Sequence, residues 1–115
     1  MSMLPIYDRG LDDVAATDAA AIPIERAAGP VMLVSGGDDR MWPAARMCGL
    51  AIERMRRSGH GASIRHVNVP DAGHVLFPFE ASAPMMFDLG GSPGAGARAH
   101  ALVWPDVVRL LAHGE

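Results

Sequence analysis

A chain of 115 residues suits one domain and no more, and with half of its residues hydrophobic it can bury a core of moderate size. A formal charge of −3 at pH 7, with no basic stripe and no long charge run, argues against nucleic acid and anionic membrane surfaces as partners. The lone Cys48 excludes an intramolecular disulfide and fits a reducing compartment.

The first nine residues lack the charged start and apolar run of a signal peptide. Apolar runs elsewhere fall well short of the ~20 residues that a spanning helix needs. The expectation is a cytoplasmic protein without a membrane span.

Residues 1–21 are weakly patterned: Asp12, Asp13 and Asp18 sit among alanines, so one short helix over residues 12–20 is the most that the pattern supports. This segment is read as weakly structured, and residues 22–115 as the body of the domain. Ile22-Pro23-Ile24-Glu25-Arg26 reads as an extended entry, because the residue before proline is pushed away from helical angles.

Residues 31–35, VMLVS, form a continuous apolar run ending at Gly36-Gly37. Such a run suits a strand buried on both faces of a parallel sheet. Asp38 to Trp42 is a loop, and Pro43 is well placed in the first turn of the helix that follows. From residue 44 to 58, Met47, Cys48, Ala51, Ile52 and Met55 make one apolar stripe, and Gly59 is a natural cap. Residues 64–69, IRHVNV, alternate and read as a second strand stopped by Pro70. Asp71-Ala72-Gly73-His74 is a tight loop, and residues 75–84 are irregular, apolar and interrupted by Pro78 and Pro84. Ser92 as cap and Pro93 just inside predict the start of a last helix running to about His113, kinked near Pro105. Its stripe of Val103, Val107, Leu110 and Leu111 would face a sheet. The order strand, helix, strand, helix predicts an α/β fold with parallel strands and a right-handed crossover.

Two polar loops therefore leave the C-terminal ends of two parallel strands, the edge where sites assemble in open α/β sheets. One offers Asp38 and Asp39, the other His74. A carboxylate facing an imidazole is the orienting half of a nucleophilic triad: the acid fixes the tautomer and stabilises the imidazolium formed in turnover. Acid before histidine is the chain order of α/β-hydrolases.

Gly37-Asp38-Asp39-Arg40-Met41-Trp42-Pro43 is similar to the acid loop of those enzymes, in which the catalytic Asp precedes a proline by four residues. That likeness selects Asp39 over Asp38, which becomes a turn residue. Pro70-Asp71-Ala72-Gly73-His74 resembles the loop that delivers the catalytic histidine. The wider pattern resembles the C-terminal domain of the acyl-CoA thioesterase and bile acid-CoA:amino acid N-acyltransferase family. It comprises the entry Ile22 to Arg26, the stretch Asp38 to Trp42, the Pro-rich loop Phe77 to Phe79, Gly90-Gly91-Ser92-Pro93, and an Ala-rich helix containing Trp104.

The resemblance implies the C-terminal part of an α/β-hydrolase fold, an acyl-CoA or ester substrate, His74 as general base and Asp39 as its orienter. The nearest alternative enzyme is a dienelactone-hydrolase-like esterase. No Gly-x-Ser/Cys-x-Gly elbow occurs in the sequence, so the nucleophile and its oxyanion donors are missing. Two strands would also leave open edges. These features raise two expectations: a homo-oligomer or partner chain supplying the nucleophile half, or a truncated module that acts by association alone.

Other residues have plainer readings. Cys48 sits on the helix stripe as a small hydrophobe. Ser58-Gly59-His60-Gly61 follows a helix rather than a strand and is a cap loop. Ser35 is a strand end and Ser92 a helix cap. His60, His66, His100 and His113 lack metal-ligand spacing, and Gly36-Gly37 is not a dinucleotide fingerprint, so neither a metal nor a cofactor is expected. Trp42 and Trp104 read as packing anchors.

Overall fold

The two apolar runs lie side by side. β1 and β2 below pair in parallel, in register from Val31 opposite Ile64 to Gly36 opposite Val69. Along the chain the elements are α1 (Leu4–Gly10), α2 (Val14–Ala20), β1 (Val31–Gly36), α3 (Ala44–Arg57), β2 (Ile64–Val69) and α4 (Ala95–His113). Single 3-10 turns occupy Ile24–Arg26 and Gly61–Ser63. This arrangement comes from a computed structural model that describes residues 1–78 and 85–114. Phe79 and Pro84, assigned above to the irregular apolar loop, lie outside the described residues.

The mixed, parallel α/β layout expected from the sequence is present. Strand side chains alternate between faces, and the two faces are covered differently. Met32, Val34 and Val67 pack, together with buried Val69, against Ala95, Ala99 and Val103 of α4. The spacing of those three helix residues puts them on one stripe, and two alanines let the helix lie close to the sheet. On the opposite face α3 covers Ser35, which meets Cys48, while Met55 closes that side of the core.

The last helix departs from expectation at both ends. Its N-cap is Gly94, in the left-handed region at φ +72°, rather than Ser92. Ser92 instead accepts from the Ala95 N–H through its carbonyl (3.0 Å) and hydrogen-bonds Asp71 through its hydroxyl (3.1 Å). A turn through a left-handed glycine moves the helix start two residues downstream. The sheet-facing stripe is correspondingly Ala95, Ala99 and Val103, whereas Leu111 is 79% exposed. The helix runs on through Pro105 to His113.

The N-terminal segment is more ordered than its pattern suggests. Asp13 caps α2 by accepting from the Ala16 N–H (3.0 Å), within the span anticipated for one helix. The additional helix α1 is held from outside: the N–H groups of Met3 and Leu4 donate to the Arg40 carbonyl at 3.2 and 3.1 Å, and Arg46 bridges Asp8 and Asp12. The entry predicted as extended contains the turn Ile24–Arg26, where Glu25 is clamped by Arg54 of α3. Among the described residues, no helix is long and apolar enough to cross a membrane.

Candidate active site

Both polar loops emerge at the same end of the parallel pair, and backbone contacts lock them together. The Gly37 N–H donates to Val69 (2.8 Å) and the Asp38 N–H to Ala72 (2.9 Å). A third segment joins them: Asp39 and Gly90 form an isolated antiparallel bridge, and the His74 N–H donates to the Leu89 carbonyl (2.8 Å). Three backbones converge where side chains would not fit. A Cβ on Gly73 would run into the Gly90 carbonyl, and one on Gly90 into the Asp38 carbonyl oxygen.

Within this frame Asp39 and His74 meet, with Nδ1 of His74 3.1 Å from Oδ2 of Asp39. The other carboxylate oxygen, Oδ1, accepts from the backbone N–H groups of Met41 (2.8 Å) and Trp42 (3.0 Å). Asp39 is only 8% exposed, so its orientation is set by the following turn rather than by solvent. A carboxylate only accepts, so the Nδ1–H of His74 donates to it, and in the neutral ring Nε2 is the nitrogen with the free lone pair. The His74 side chain is 27% exposed, partly open to whatever approaches Nε2.

Asp38 does different work. Its carboxylate accepts from the Gly91 N–H (2.9 Å) and is paired with Arg40 (3.2 Å). Those bonds, the Gly91 N–H first, hold its pKa below the usual carboxylate range. Arg40 also reaches Asp88 at 3.2 Å, so the acid loop and the segment carrying Gly90 are bound by charge as well as backbone.

Trp42 is not the packing anchor expected of it. It is 43% exposed, and its ring stands edge-on to His74 with centroids 4.8 Å apart and planes at 76°. Tyr7 of α1 meets the same indole at 6.2 Å and 71°. Trp104 is half exposed as well, stacked on His100 at 5.1 Å. The contacts of Trp42 were not legible in the sequence, since aromatic pairs across distant elements leave no spacing signal, whereas His100 and Trp104 are four residues apart on one helix.

The structure also brings together a serine and a histidine that the sequence did not connect. Ser35 Oγ lies 2.8 Å from Nε2 of His66 and donates to Oδ1 of Asn68 at 2.9 Å. With its one hydrogen spent on Asn68, the hydroxyl receives the Nε2 proton of His66. Ser35 is 1% exposed, and an Nε2 that donates its proton to the hydroxyl cannot also take one from it. This is a satisfied polar network under α3 rather than an attacking group. Burial pushes the half-buried Cys48 thiol up, against an opposing hydrogen bond to Ser35, which leaves it a poor nucleophile.

Behind the histidine loop, a groove of about 580 Å³ runs between residues 73–78 and the start of α4. Gly73 and Val75, on either side of His74, line it.

A family model described as the C-terminal domain of BAAT and acyl-CoA thioester hydrolases matches residues 6–113. No curated protein matches the chain.

Proposed function

Because the chain belongs to the BAAT / acyl-CoA thioester hydrolase C-terminal family, we propose that it supplies the acid and base of an acyl-CoA thioesterase or acyltransferase site on the C-terminal part of an α/β-hydrolase fold. The observation that carries the reading is the 3.1 Å contact between Asp39 and His74, with the carboxylate buried and held by two backbone N–H groups.

In this reading Nε2 of His74 takes the proton from a serine or cysteine nucleophile as it attacks the thioester carbonyl. The new bond to the acyl carbon forms, the C–S bond breaks, and the proton passes to the departing CoA thiolate. Water or an amine then attacks the acyl-enzyme with the same base assisting. Asp39 stabilises the imidazolium in both steps. The nucleophile comes from outside these 115 residues, since no elbow motif occurs within them. The site works with neither metal nor cofactor, in the cytoplasm.

A second reading, a non-catalytic module acting by association with itself or a partner, is favoured by the sheet itself. Its described part is a two-stranded pair with an unpaired edge on each side, and such edges are templates for another strand.

The test is hydrolysis of short- and long-chain acyl-CoA by the purified chain and by its native assembly recovered under a tag, each beside His74→Ala. Hydrolysis that disappears in the variant supports the enzyme reading. An assembly that hydrolyses no thioester, or does so equally well without His74, sinks it in favour of association.

A further inference from the structure

Trp42 touches both members of the pair by different means. Its backbone N–H donates to Oδ1 of Asp39 (3.0 Å), while the opposite oxygen of that carboxylate faces Nδ1 of His74 (3.1 Å). Its indole stands edge-on to the imidazole at 4.8 Å. The three residues form a closed triangle: carboxylate to imidazole, imidazole to indole, and the indole's own backbone to the carboxylate.

We propose that Trp42 is a positioning residue, whose indole holds the imidazole of His74 on Asp39. The catalytic meaning of this rests on the acid–base reading above; the positioning itself does not. His74 is 27% exposed, so water can compete for Nδ1 and the ring can turn about its side-chain bonds. An edge-to-face partner at this distance is favourable and occupies space that a rotated imidazole would sweep.

The indole is itself held. Pro43, the next residue, is buried, and Tyr7 meets the ring edge-on at 6.2 Å. Tyr7 belongs to α1, which the Met3 and Leu4 N–H groups tie to the Arg40 carbonyl, so the helix is fastened to the acid loop. A segment with no chemistry of its own thereby supports the site through one aromatic chain, Tyr7 to Trp42 to His74.

Side-chain substitutions at Trp42 leave its backbone bond to Asp39 available, so they isolate the indole. The experiment is side-chain nitrogen and proton NMR of His74 in the intact chain, reading the ratio of Nδ1–H to Nε2–H tautomers and the solvent exchange of the Nδ1 proton. Trp42→Ala is expected to lower the ratio of rings fixed on Asp39 to rings turned away by roughly 2- to 10-fold, the size of one edge-to-face contact, and to speed exchange. Trp42→Phe, which keeps an aromatic partner, is expected to restore most of both. Tyr7→Ala is expected to move them the same way by less, and serves as the test if Trp42→Ala does not fold. A tautomer ratio and exchange rate unchanged in Trp42→Ala, with the amide spectrum otherwise intact, would overturn the proposal. Equal losses in Trp42→Ala and Trp42→Phe would also overturn it. A parent protein with its proton on Nε2 would instead sink the acid–base reading, while the response to Trp42→Ala would still decide the positioning.

Discussion

The carboxylate of Asp38 accepts a 2.9 Å hydrogen bond from the backbone N–H of Gly91, 53 residues further along the chain. The acid loop is thus closed by the same segment that receives the His74 N–H at Leu89, and its two adjacent aspartates divide the labour. Asp39 turns inward to the imidazole, and Asp38 fastens the loop to the segment before α4.

That closure depends on Gly90. It sits at φ +68°, and a Cβ there would meet the Asp38 carbonyl oxygen. Gly90→Ala is expected to destabilise the protein by about 2 kcal/mol or more, combining the left-handed penalty with the clash. Urea unfolding of the variant beside the parent measures it. A midpoint within error of the parent would show that the three backbones do not converge as described.

Glu25 and Arg54 make a two-pronged ion pair, at 2.5 and 3.0 Å. The hydrogen bonds from Arg54 hold the Glu25 pKa down from its ordinary 4.5 to about 2. A depressed carboxylate contributes stability that is present above its unfolded value and is lost as pH falls through the folded one. The parent is therefore expected to lose this contribution between about pH 4.5 and pH 2. Glu25→Gln should be less stable at neutral pH, with the gap narrowing across that window. Thermal midpoints taken at half-unit pH steps check the sign; a constant gap would exclude the pair as its origin.

Ser35 is the shared partner of His66 and Asn68. Ser35→Ala removes both contacts and leaves polar atoms short of partners next to α3. The expected cost is about 1 to 3 kcal/mol, read from the denaturant midpoint. Acyl-CoA hydrolysis per folded molecule should not change, and a selective loss of activity would mean that this serine takes part in the chemistry.

Asp39→Asn keeps the size of the side chain while removing the charge that orients His74. In the native assembly, thioester hydrolysis is expected to fall by about 10³- to 10⁴-fold, the scale seen when a triad acid becomes an amide, with near-parental thermal stability. A fall of under 10-fold would place the orienting role elsewhere.

The sequence by itself determined the parallel pair, the intervening helix and the chain positions of the acid and histidine loops. Each is written locally. VMLVS is an apolar run without alternation, residues 44–58 carry a helical stripe, and the loops are marked by glycine and proline. Local patterns survive without tertiary help because they rest on side-chain periodicity and backbone preference.

Tertiary structure alone decided the rest. α1 forms where the pattern is weak because Arg40 and Arg46, far along the chain, supply its partners. The cap of α4 moved from Ser92 to Gly94 because Asp71 engages the serine hydroxyl. Tyr7, Trp42 and His74 are joined by contacts between three separate elements, and Ser35 finds His66 only across the strand pair. Their energies depend on distance in space, which residue spacing does not encode. The sequence placed Asp39 and His74 in neighbouring loops, and the folded chain chose which oxygen, which nitrogen and which aromatic ring hold them together.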